Sequence, residues 1–177
     1  MPGTALLVVD VQRNMLELTP AVADGLELLT TLSTLIGRAR AAGAPVLFVR
    51  NCGDPGDPDE PGTPGWELAP ALPRLAAEPI VDKRFGDSFE GTNLDTLLKA
   101  RGVRKVVVAG LQSELCIQKT CRGGAKRGYA ITLASDAHGT YDTPGGPSAL
   151  ETIASQNAAL AADGVVELAA AALVSFG

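Results

Sequence analysis

Residues Ala5–Asp10 read ALLVVD, five apolar side chains in a row closed by a carboxylate. Successive side chains of a strand point to opposite faces, so a strand with no polar alternation is covered on both. This run excludes a sheet with one wet face and predicts a parallel sheet between two helical layers. Similar runs recur at Pro45–Arg50 (PVLFVR), Arg104–Gly110 (RKVVVAG) and Tyr129–Ala134 (YAITLA), with short ones at Ile80–Val81 and Val165–Leu168. Helical patterns lie between them. Residues 22–42 carry Leu26, Leu29, Leu32, Leu35 and Ile36 as an apolar face, and Gly43 suits a C-cap. Further helices are expected over 92–102, 113–128 and 148–162. Right-handed crossovers then give a three-layer α/β/α sandwich, doubly wound on a mostly parallel six-stranded sheet. Aromatics are only 4% of the chain, so the core is expected to be Ala, Leu and Val. The 177 residues suit one domain, 1–177.

The formal net charge is −5 and basic residues are scattered, so neither nucleic acid nor an anionic membrane is an expected partner. The cysteines, Cys52, Cys116 and Cys121, are odd in number and irregularly spaced, which is no disulfide framework. The apolar run near the N-terminus is too short for a signal peptide or a span. A cytoplasmic setting with reduced thiols is therefore expected. With His138 the only histidine, a multi-histidine metal site is excluded. The segment Asn51–Pro64, rich in Gly, Pro and Asp, is a loop of the length that often carries function.

Ligands of doubly wound sheets sit at the carboxyl ends of the strands. Three reactive side chains fall there: Asp10 after the first strand, Lys83 after the third, and Cys116 after the fourth. In GLQSELC, Gly110–Cys116, Ser113 suits an N-cap and puts Cys116 at N3. A thiol there faces unpaired N–H groups and the positive end of the helix dipole, which favour thiolate. Each residue alone also has a plain reading: Asp10 as a turn residue, Lys83 as a solvated lysine, Cys116 as an inert buried thiol. Their meeting at one sheet edge is what points to chemistry.

At this point the chain resembles the isochorismatase-like cysteine hydrolases, the superfamily of nicotinamidases, N-carbamoylsarcosine amidases and streptothricin hydrolase. The matching stretches are ALLVVDVQRNML (Ala5–Leu16), AGAPVLFVR (Ala42–Arg50), PGWEL (Pro64–Leu68), VDKRFGDSFEGTNLDTLL (Val81–Leu98), VVVAGLQSELCIQKTCRGGAKRGYAITLASDAH (Val106–His138) and TIASQNAAL (Thr152–Leu160). They cover roughly residues 5–160. The resemblance implies the catalytic triad Asp10, Lys83 and Cys116. It also implies a non-proline cis peptide at Leu111–Gln112, whose setting aims the N–H groups of Gln112 and Cys116 at a substrate oxygen. It implies a homodimer or higher homo-oligomer, a small-molecule substrate and no cofactor.

Two departures narrow this expectation. Nicotinamidases of the superfamily bind a metal through an Asp and histidines in the loop after the second strand, and here that loop has no histidine. Its acids, Asp54, Asp57, Asp59 and Glu60, are expected to be solvated rather than ligating. Some isochorismatases, which cleave a vinyl ether, lack the cysteine that this chain keeps. The expected reaction is therefore metal-free cleavage of an amide, lactam or carbamoyl C–N bond, with GTPGWEL and GLQSELC resembling streptothricin-hydrolase-type or unassigned cysteine hydrolases. An ether hydrolase and a redox-sensing protein are the alternatives. Gln12, Trp66, Phe85 and Phe89 are expected at the substrate pocket. Cys121 lies about 140° around the helix from Cys116 and faces elsewhere. Cys52 is expected to pack, and His138 to serve as a turn residue bonded to backbone.

Overall fold

The computed structural model describes residues 3–177. Its sheet has six strands: β1 (Thr4–Val9), β2 (Val46–Asn51), β3 (Ile80–Lys83), β4 (Lys105–Leu111), β5 (Ala130–Gly139) and β6 (Glu167–Ala169). They lie in the order β3-β2-β1-β4-β5-β6, and every neighbouring pair is parallel. This is the expected doubly wound sheet, without an antiparallel member. Its helices are α1 (Arg13–Leu16), α2 (Gly25–Ala41), α3 (Leu94–Lys99), α4 (Gln118–Lys126) and α5 (Ala149–Ala162). Among the described residues no helix is long and apolar enough to cross a membrane.

The unbroken run in β1 has the predicted cause. Leu6 and Val8 enter one core cluster, with α2 and Phe48, while Ala5, Leu7 and Val9 enter the other, with Leu94, Leu98, Cys121 and Leu160. All six β1 residues are buried, so neither face of the strand meets water. At about 25 cal/mol per Å2 the two cores are the main force holding the helices to the sheet.

Several boundaries differ from expectation. Helix α2 begins at Gly25, and its buried stripe is Leu28, Leu32, Leu35, Ile36 and Ala39. Leu26 is 84% exposed and Leu29 only partly buried, because the stripe runs through i, i+4, i+7 from Leu28 and leaves Leu26 on the far side. Helix α3 starts at Leu94 and ends at Lys99, and the sixth strand is 167–169. Strand β3 extends through Lys83 because its register pairs Asn51 with Lys83. Strand β5 continues to Gly139 after a register shift opposite Val108 and Gly110, so His138 lies in the sheet rather than in a turn.

The chain leaves β1 for β2 on one side and pairs with β4 on the other, so β1 and β4 border the crevice where the winding reverses. Val9 pairs with Gly110 there, and a Cβ on Gly110 would lie 2.1 Å from the Val9 carbonyl oxygen. Gly110 also has φ +119, a backbone that side chains avoid. Gly110→Ala should therefore destabilise the fold by about 3 kcal/mol, read as a lower urea midpoint, since backbone strain and a backbone clash act together.

Candidate active site

Asp10 follows β1 and is fully buried. Its N–H donates to Val49 O at 3.0 Å and its carbonyl accepts from Gln12 N at 2.9 Å. Its φ of 51° lies in the left-handed region, which costs a non-glycine residue about 1–3 kcal/mol. The turn is held by Gln12, whose Nε2 donates to Asn51 O (3.1 Å) and Trp66 O (3.0 Å) and whose Oε1 accepts from Asn51 N (2.8 Å). Gln12 is therefore a buried clamp between the ends of β1 and β2, and not the substrate ligand expected from sequence. Both amide protons are committed to backbone.

Lys83, at the end of β3, lies with its ammonium inside the protein. Nζ is 2.7 Å from Asp10 Oδ2, 3.2 Å from Asn51 Oδ1 and 3.3 Å from Cys116 Sγ. The ammonium thus forms an ion pair with Asp10 and donates hydrogen bonds to Asn51 and Cys116. Burial is the largest single influence and works against the charged lysine, but Asp10 and Cys116 together outweigh it and hold the Lys83 pKa above its ordinary value. Burial is also the largest influence on Asp10. It leaves that carboxyl above the usual range although Lys83 and Cys116 pull it down.

Cys116 approaches from the other side of the crevice. The peptide Leu111–Gln112 that precedes it is cis. Ser113–Ile117 forms one π-helical turn, with Ile117 N donating to Gln112 O at 3.0 Å, before α4 begins. The helical start is therefore Gln112 rather than Ser113, and Cys116 is four residues past it. Ser113 is no N-cap because its hydroxyl bonds His138 Nδ1 at 2.8 Å. His138 Nε2 meets Asn157 Oδ1 at 3.0 Å, and Asn157 Nδ2 donates to Ser135 O. That chain makes Nε2 the protonated nitrogen of a neutral His138, so Ser113 donates to Nδ1. Burial keeps His138 below its ordinary pKa, which favours this neutral form. His138 thus braces the turn that carries the thiol through side chains, not backbone.

The expectation of a ready thiolate is corrected. Burial, followed by the negative charge of Asp10, pushes the Cys116 thiol up to about 12, against the opposing pull of Lys83. A short turn start does not offset removal from water.

The expected pocket residues separate. Phe85 is 52% exposed and lines a cleft of roughly 240 Å3 with Cys52, Lys83, Glu90 and Gly91. Trp66 donates from Nε1 to Cys52 Sγ at 3.4 Å, while Arg50 covers its ring at 3.3 Å. Phe89 belongs to the core: it is 4% exposed and stacks on Tyr129 at 5.6 Å. Its predicted substrate role fails because it packs with the core on the α4 side of the sheet.

Two site residues escaped the sequence reading. Asn51 ends β2 as Asp10 closes β1, so the same strand-end criterion would have found it. Asp59 is 8% exposed and accepts from Asn51 Nδ2 at 2.7 Å. Nothing in the loop composition distinguishes it from its acidic neighbours. Those neighbours are occupied locally: Asp57 accepts from Asp54 N and Glu60 from Gly56 N. Among the described residues no three His, Cys, Asp or Glu side chains converge as a metal site, so these donors do not fit the metal centre known from nicotinamidases. With its proton held up to about 12, Cys116 should alkylate slowly with iodoacetamide at neutral pH. The rate should climb throughout pH 7–11, as peptide mass spectrometry would follow.

Residues 4–163 match the family described as the isochorismatase domain. The chain is 41% identical over 162 residues to a streptothricin hydrolase from Streptomyces noursei, covering 92% of this chain and 64% of that protein. It therefore spans less than two thirds of that relative's length. It is 30% identical over 193 residues to the ureidoacrylate amidohydrolase RutB of Methylorubrum extorquens, covering 88% of this chain and 75% of that one. An isochorismatase crystal structure from Pseudomonas putida KT2440 superposes with a TM-score of 0.90 at 27% identity, covering 98% of this chain and 90% of that one. With a family match across nearly its whole length and a fold to match, the chain belongs to the isochorismatase family.

Proposed function

We propose that this protein is a cysteine hydrolase that cleaves a C–N bond of a small amide, lactam or carbamoyl compound through a thioester on Cys116. The observation that carries the reading is the buried ammonium of Lys83, which lies 2.7 Å from the Asp10 carboxylate and 3.3 Å from the Cys116 sulfur. A base and a nucleophile from distant strands share one cation in a site shielded from water. The streptothricin hydrolase and the amidohydrolase among its relatives support the same reaction class.

Because the thiol holds its proton up to about 12, a free thiolate is scarce at neutral pH. Sulfur therefore attacks the carbonyl carbon as its proton passes to Asp10, and the C–S bond forms as the S–H bond breaks. The N–H groups of Gln112 and Cys116 hold the oxygen that becomes negative. Collapse of this tetrahedral species breaks the C–N bond, and Asp10 returns the proton to the leaving nitrogen. Water then attacks the thioester carbon and gives a proton to Asp10; collapse breaks the C–S bond, and Asp10 passes that proton to the leaving sulfur, releasing the acid and the Cys116 thiol. Lys83 stays protonated, orients Asp10 and offsets negative charge. A redox-sensing role is disfavoured by the same thiol: peroxide sensors need an accessible, low-pKa thiolate.

Cys116→Ala should abolish amide turnover, with circular dichroism unchanged, and wild type incubated with a substrate amide should show an acyl adduct mass on Cys116. Full activity in Cys116→Ala sinks the proposal. Asp10 must be ionised to take the proton, so kcat/KM should fall as pH falls through its pKa. That acid limb should lie above the ordinary carboxylate range, because burial raises Asp10.

A further inference from the structure

We infer that Asp59 is a positioning residue of this site: by accepting a hydrogen bond from Asn51 Nδ2 it turns the Asn51 amide oxygen toward Lys83, and so holds the lysine between Asp10 and Cys116. The inference rests on the reading of Asp10, Lys83 and Cys116 as the reacting constellation.

The two ends of the Asn51 amide are nearly the same size, and rotation by 180° exchanges them. Only one orientation suits Lys83. With Oδ1 toward Nζ, at 3.2 Å, the ammonium has an acceptor; with Nδ2 there, two donors would oppose each other. Asn51 backbone is clamped by Gln12 and cannot choose between them. Asp59 can. An ionised carboxylate only accepts, and Oδ2 takes Nδ2–H at 2.7 Å. The wrong orientation would face two acceptors as well as two donors. Losing the Asn51 acceptor would leave one ammonium proton unpaired in a buried site, and Nζ would shift from Sγ to find a partner.

The loop is shaped to deliver this carboxylate. Gly53 N donates to Asp59 O at 2.9 Å, and a Cβ on Gly53 would sit 2.3 Å from Asp59 Oδ1. Among the described residues no lysine or arginine pairs with Asp59, so its charge acts on the site. That negative charge adds to the factors raising Asp10.

Two variants of the full chain separate these effects. Asp59→Leu keeps the branched shape, at a larger size, but accepts nothing. It should lower kcat by about tenfold to a hundredfold, the range for a lost hydrogen bond to a charged group, with KM changed less. Asp59→Asn keeps an acceptor oxygen and removes the charge. It should retain most of kcat while its acid limb moves to lower pH, because Asp10 loses a negative neighbour. Iodoacetamide labelling of Cys116 reads the same geometry without any substrate: its pH profile should shift in Asp59→Leu. If no amide is turned over but labelling shifts, the reaction assignment fails and the positioning role stands. Wild-type kcat and pH profile in both variants, with unchanged labelling, overturn the inference. If Asp59→Leu fails to fold, Asp59→Ala, which also accepts nothing and is smaller, takes its place: wild-type kcat and unchanged Cys116 labelling there overturn the inference.

Discussion

The buried contact between Asp10 and Lys83 organises the rest of this site. Both side chains are withdrawn from water, and neither is tolerable there alone: removing one partner of such a pair typically costs about 3–5 kcal/mol. The pair must therefore be supported by the chain around it. Its supports are the left-handed backbone of Asp10, the Gln12 clamp and the Asn51 amide, which bring the ends of β1, β2 and β3 to one point. A hydrophobic pair would hold those strand ends more cheaply, so the ion pair is better explained by what it does to the adjacent thiol.

The second half of the site is built differently. Cys116 rides on a π turn entered through a cis peptide, next to a glycine that lets β4 lie against β1. A relay from the partly buried Asn157 through the buried His138 to Ser113 ties this turn to β5 and α5. The strand side of the crevice carries an ion pair, and the helix side is held by hydrogen bonds that include Thr140 Oγ1 to the Glu114 carboxylate. Low dielectric makes both strong, and it also keeps the proton on sulfur.

Much of the site was legible because strand ends are legible. A five-residue apolar run ending in Asp10 announces a buried parallel strand and where it stops, and the sheet rule then says that its end faces the ligand crevice. Asn51 obeys the same rule, but the sequence puts it at the head of the Gly- and Pro-rich loop after Arg50, and only the pairing of Asn51 with Lys83 extends the strand to it. Phe89 was misplaced because an aromatic near a site and an aromatic in the core look alike in one dimension. Leu26 was misplaced because a leucine-rich helix offers two overlapping stripes, and only packing against β5 selects one. Asp59 was invisible: four acids in an irregular loop have no period by which to tell the buried one from the rest.

What the sequence determined by itself is the parallel sheet, its two-sided core and the three residue types at its edge, since these follow from apolar runs and residue chemistry within a few positions. What only the tertiary structure decided is the state of Cys116. Local position predicts a thiolate at a helix start; the folded surroundings yield a thiol held up to about 12 beside Asp10. The physical reason is that desolvation and Coulomb interaction depend on distance through space, and the residues that set them are 33 positions apart for Lys83 and Cys116.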